Sequence, residues 1–172
     1  MKALAVDAAT QLIALSETGL DVNVSLGQGL ASGAVGAFLT TLVVGAIAVA
    51  VYPDRTEQLM ADVLDDPVGS FAYGLLCALA LFVVTLLLVF TIVGIVVALP
   101  LALVAYVVWA VGAAVAYLAI ADRLVGHEDG WLKALLVAAA INGALAATGV
   151  GGLVALLVGV TGFGAVLRAY FG

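Results

Sequence analysis

The sequence predicts an all-α, polytopic transmembrane helix bundle of about five spans, arranged as one helix plus two helical hairpins with a short interfacial helix. Three observations carry that expectation. Residues 67–121 run for about 55 positions without one Asp, Glu, Lys, Arg or His, far beyond the ~18 apolar residues that mark a membrane span. The chain of 172 residues is 66% hydrophobic and 9% charged, with a mean hydropathy of +1.35, whereas soluble domains carry about 25% charged residues. Glycine and proline punctuate the apolar stretches at intervals that suit helix reversals.

Residues 1–27 form a short extramembrane or interfacial segment, and residues 28–172 a single transmembrane domain. Ala3 to Leu15 has the pattern of an amphipathic helix, and Leu20 to Leu26 alternates like a strand. Lys2 is followed by an apolar run broken at Asp7 and Gln11, which does not match a cleaved secretory signal.

The first span is expected from Gln28 to Tyr52. Gly29, Gly33, Ala37, Thr41 and Gly45 recur every fourth position, so they share one helix face and form a ridge of small residues on which another helix can approach closely. Packing within the chain and contact with a second copy of it are both open for that ridge. Pro53 ends the span, and Asp54 to Asp66 is expected to form a helix lying flat at the interface, with Leu59, Met60, Val63 and Leu64 on one stripe. Asp65 or Asp66 caps the next helix, where Pro67 suits the first turn because its missing N–H costs little there.

The long apolar run is too long for one crossing: as a single helix it would extend about 80 Å against a hydrocarbon core of about 30 Å. Its reversal is expected between Gly94 and Pro100, just after Thr91, with the third span ending at Ala121 and a polar loop from Asp122 to Gly130. A fourth span from Trp131 to Thr148 and a fifth ending near Leu167 are separated by Gly149, Gly151 and Gly152. Each has about 17–19 residues, the lower limit for crossing, so a re-entrant pair is the alternative. The segments beginning at Thr91 and at Thr148 align without gaps and end alike in Val-Ala-Leu, which shared composition or two related hairpins would each give.

Arg55, Arg123, Lys133 and Arg168 fall on one side of this arrangement against Lys2 on the other. The excess of basic residues makes that side cytoplasmic and leaves the N-terminus outside, in a multi-pass protein of the cell membrane. Tyr52, Phe71, Tyr73, Tyr117, Trp131, Tyr170 and Phe171 gather at the same boundary as an interfacial belt. Eleven acids against five bases, a net charge of −6, argue against nucleic acid or anionic phospholipid as a long-range electrostatic partner. The acidity and the scarcity of lysine also suit a high-salt cytoplasm.

Chemistry inside a membrane needs polar or ionisable groups there. The expected spans offer Thr40, Thr41, Thr85, Thr91, Asn142, Thr148 and the single Cys77. Threonine can return its hydrogen bond to the preceding turn, whereas Asn142 is expected to bond across helices as a packing lock or to line a polar path. His127, Glu128 and Asp129 are consecutive loop residues with no second His or Cys nearby, a poor metal or acid/base site. No catalytic residue, cofactor or metal ligand is assigned.

From Tyr52 to Pro100 the order Tyr-Pro-Asp-Arg, interfacial helix, Asp66-Pro67, long apolar span and Thr91-Ile-Val-Gly-Ile95 resembles the membrane domain attached to bactofilin-type, polymer-forming cytoskeletal proteins. The glycine-rich stretch from Gly151 to Ala165 is similar to that family's final helix. Two departures stand out: proline waits until Pro100, and the β-solenoid is absent. The resemblance implies a membrane anchor or scaffold beside a separate polymer-forming partner. The functional expectation is therefore a non-enzymatic anchor in the lipid bilayer, with homo-oligomerisation open. The alternative is a small pore or transporter for a neutral solute or ion, lined by Thr91, Asn142 and Thr148.

Overall fold

The computed structural model describes residues 29–128, 130–148 and 150–171, and among these every regular element is a helix. In chain order they are α1 (Gly29–Val51), α2 (Pro53–Asp65), α3 (Pro67–Val89), α4 (Ile92–Val125), α5 (Trp131–Ala147) and α6 (Gly151–Phe171). The readings for residues 1–27 lie outside the described residues.

Helices α1, α3, α4 and α6 are long and apolar enough to cross a membrane, and α5 is a shorter apolar helix. At 1.5 Å per residue the 17 residues of α5 reach about 25 Å and the 34 of α4 about 51 Å. The chain is thus a multi-pass membrane protein built as one helix, α1, followed by the hairpins α3/α4 and α5/α6.

Local chemistry fixes the helix ends. Asp66 caps α3 as expected, its Oδ1 accepting from the Gly69 N–H at 2.9 Å, with Pro67 in the first turn. Pro53 likewise opens α2, one residue after α1 stops. Thr56 bridges that bend: its hydroxyl lies within hydrogen-bond distance of the Ala48 and Tyr52 carbonyls, at 3.0 and 2.8 Å, and the residue is buried. Met60 and Val63 are buried one turn further on, while Asp54, Glu57, Asp62 and Asp65 are exposed. The amphipathic reading of α2 therefore holds, with its apolar stripe packed against α4 and α6.

The first reversal differs from the expectation in place. It lies at Phe90 and Thr91, and the segment from Gly94 to Pro100 is already α4. The threonine supplies the cap that the turn needs, so the helix restarts before the glycine. Pro100 sits inside α4, where it withholds an N–H from the Val96 carbonyl without ending the helix. At the other end α4 continues to Val125, so Asp122 and Arg123 belong to its last turn rather than to a loop. The second reversal runs from Thr148 to Val150; Gly151 and Gly152 open α6, and Gly149 lies outside the described residues.

Packing is closest around α6. Gly164 meets the backbone of Ser70 and Gly74, and Gly162 meets that of Gly112; a Cβ at either would fall within 2 Å of a carbonyl oxygen. The contact pairs show α6 antiparallel to α3 and parallel to α4. Glycine lets these backbones touch, which maximises dispersion where no hydrophobic effect drives helices together. Helix α1 packs antiparallel on α5 through Phe38 and the Ala34 carbonyl at Gly143, and through Gly45 at Leu135. The core lies towards the charged end, where Val115, Ala116, Tyr117, Leu118 and Ala119 of α4 meet Ala134 and Ala138 of α5 and Ala165 of α6.

Candidate functional site

Among the polar groups of the described helices, Asn142, Thr41, Thr91 and Thr148 are hydrogen-bonded, whereas Ser70 Oγ and Tyr117 OH are buried without a partner among the described residues. Asn142 donates from Nδ2 to Thr41 Oγ1 at 2.7 Å and lies 3.4 Å from the Ala37 carbonyl. Thr41 is buried. The amide thereby ties α5 to the middle of α1, where an unpaired amide in hydrocarbon would cost several kcal/mol, of the order of a lost buried hydrogen bond.

The two reversals share one pair of threonine hydrogen bonds. Thr91 Oγ1 accepts from the Gly94 N–H at 2.9 Å and donates to the Leu88 carbonyl at 3.1 Å. Thr148 Oγ1 accepts from the Gly151 N–H at 3.1 Å and donates to the Leu145 carbonyl at 2.9 Å. A Cβ at Gly94 would meet the Leu88 oxygen at 2.0 Å, and one at Gly151 would meet the Leu145 oxygen at the same distance. Each turn therefore needs its threonine to satisfy backbone groups in an apolar setting and its glycine to let the chain fold back.

At the opposite end Arg168 donates to Asp66 Oδ2 at 2.7 Å, joining the end of α6 to the start of α3. The Arg168 hydrogen bond, together with the Gly69 N–H, holds the Asp66 carboxyl below its ordinary value. Both side chains are half exposed, so the pair contributes little to stability and mainly fixes position. His127 Nδ1 lies 2.5 Å from Asp122 Oδ1, and its ring stacks on Trp131 with centroids 4.0 Å apart. The imidazole thus closes the connection from α4 to α5. Among the described residues, no group of three His, Cys, Asp or Glu side chains is placed to hold a metal ion.

A family model matches residues 1–172. The chain belongs to that family, Domain of unknown function (DUF8173). No curated protein and no solved structure matches this DUF8173 chain.

The small-residue ridge of α1 divides in two. Ala37, Thr41 and Gly45 face α5. Gly29 and Gly33, with the neighbouring Gly36, have no atom within 4 Å of a Cβ built on them among the described residues. Thr91 and Thr148 lie in the turns and Gly94 and Gly151 in the first helical turn after each, whereas Pro100 stands well inside α4 and Gly152 makes no part of the threonine cap. Asn142 bonds across helices, to Thr41 of α1. Thr91 and Thr148 spend their hydroxyls on their own turns, a different setting from the polar path considered in the sequence. Sequence reasoning missed Thr56 and the seam glycines Gly74, Gly112, Gly162 and Gly164. The seam's signal was the close spacing of Gly159, Gly162 and Gly164 in one helix, but spacing alone does not name the helices that meet it.

Proposed function

We propose that this chain is a non-catalytic membrane anchor or scaffold that holds a partner through α1. The observation that carries the reading is the divided ridge: its lower half is used inside the bundle, and its upper half, Gly29 and Gly33 with Gly36, has no described neighbour. A face of small residues in lipid is suited to a close helix crossing. The backbone contacts of α6 with α3 and α4 support the same reading, since they make a firm base from which α1 presents that face. The resemblance to bactofilin-associated membrane domains makes a polymer-forming cytoskeletal protein the first candidate partner, and a second copy of this chain the next. The basic residues at the α2 end support a cytoplasmic C-terminus and an outer N-terminus in the cell membrane.

The test is affinity purification of the full chain from native membranes with identification of what accompanies it, repeated for Gly33→Leu. The wild type should bring down a polymer-forming protein or a second copy of itself, and the variant should lose it while keeping its thermal stability in detergent. A wild type that comes out alone and monomeric overturns the proposal.

A further inference from the structure

A groove of about 400 Å³ runs between α1, α4 and α6 and reaches α2 at its outer end. Its body is apolar, made by Val44, Ile47 and Ala48 of α1 and by Val107 and Val111 of α4. Its mouth is ringed by Tyr52, Arg55 and Tyr170. Helices α1 and α4 run towards the mouth together, and the lining on each covers about two turns, roughly 12 Å of depth. Ile47 and Val107 are both exposed beside it, so the groove is open along its side, towards the hydrocarbon, as well as at its mouth.

Arg55 differs from Arg168 at the same end of the bundle. Arg168 is taken by Asp66, whereas among the described residues Arg55 has no hydrogen-bond or ion-pair partner. The geometry points to a glycerophospholipid as the occupant, with one hydrocarbon chain in the valine-lined groove and its phosphate on the Arg55 guanidinium between the two tyrosine rings. Three features favour that ligand over a soluble one. The groove opens sideways into the bilayer, where lipid chains are the solvent. A guanidinium presents a planar fork of donors suited to phosphate oxygens. Tyrosine places an apolar ring and a polar tip at the headgroup level. Charge selects further: Asp54, Glu57 and Asp62 on α2 and the net charge of −6 disfavour a lipid with excess negative charge. Asp62 lines a small cavity adjoining the mouth together with Arg55 and Gln58, so a zwitterionic lipid fits, phosphate on Arg55 and ammonium turned to Asp62.

Native mass spectrometry of the full chain, released from detergent with dioleoylphosphatidylethanolamine present, tests this. One lipid should stay bound per chain. Arg55→Gln should lower the bound fraction about tenfold, the usual scale for losing a charge-assisted hydrogen bond; Arg55 is exposed, so folding is not at stake. Val111→Trp, which fills the groove, should act in the same direction. For the unaltered protein, dioleoylglycerol, which lacks the phosphate, and glycerophosphoethanolamine, which lacks the chains, should each bind about tenfold less, since each forgoes one of the two contacts. Equal retention by the wild type and Arg55→Gln overturns the assignment. So does dioleoylglycerol binding as well as the phospholipid, or dioleoylphosphatidylglycerol binding better.

Discussion

Asn142 shows what one polar residue does in an apolar bundle. Its amide reaches Thr41 across the α1–α5 interface, and nothing else of comparable polarity links those helices among the described residues. Asn142→Leu should lower stability in detergent by about 1 kcal/mol, the scale of interhelical hydrogen bonds in membranes. Thr41→Val should cost a similar amount, and the double variant less than the sum; denaturant titration of the three proteins checks this. Asp66 works at the aqueous edge and carries a pH dependence of definite sign. Its folded-state pKa lies below the unfolded value of 3.8, chiefly through the Arg168 hydrogen bond. The bonded carboxylate therefore supports the folded state above that value, and the support is lost as pH falls through the lower folded pKa. Protection of the Gly69 amide, its exchange rate taken relative to the intrinsic rate at each pH, should fall on acidification only below pH 3.8, and Asp66→Asn should remove that fall.

Between helices, glycine position matters more than glycine content. Gly162 has the Gly112 carbonyl 1.9 Å from where its Cβ would sit, while Gly33 faces no described atom. Gly162→Ala must push α4 and α6 apart and should cost about 1–3 kcal/mol, as overpacked sites do; Gly33→Ala should leave stability within error or raise it slightly. Thermal unfolding of the two variants in one detergent compares them directly. The same contrast explains what was legible in the sequence. Helix identity, the Asp66-Pro67 start and the stripe of α2 were readable because capping chemistry and amphipathic spacing are local. The first turn was misplaced because an unbroken apolar run gives no periodic boundary, and Pro100 looked like a stop although α4 carries it. The threonine followed three positions later by glycine was the better signal, since a cap satisfies donors and proline only withholds one. Gly74 and Gly112 could not be singled out: a lone helical glycine says that a backbone can approach, not which one does.

At the scale of the molecule, α6 is the axis and the two hairpins share one direction. The α2 segment, the α4–α5 connection and the end of α6 lie at one end, tied by Arg168 to Asp66 and by the packing of α2 on α4 and α6. Cysteines placed at the exposed Glu57 and Glu128 should react with an impermeant maleimide from the same side of sealed vesicles. Labelling from opposite sides would break the five-span arrangement. Thr56 is unsuitable for that purpose, because the fold buries it under the bend between α1 and α2.

The paired turns also bear on how the chain enters a bilayer. Leu88 to Gly94 and Leu145 to Gly152 hold no charged residue, and each turn bonds its own exposed amide and carbonyl groups through one hydroxyl. Each hairpin can therefore be delivered as a closed package, with no hydrated loop to drag through hydrocarbon and no charge to transfer. Beyond α1 the charged residues of the chain lie at the opposite end of the bundle, so of the two ends of each hairpin the turn is the one that crosses hydrocarbon at the lower cost.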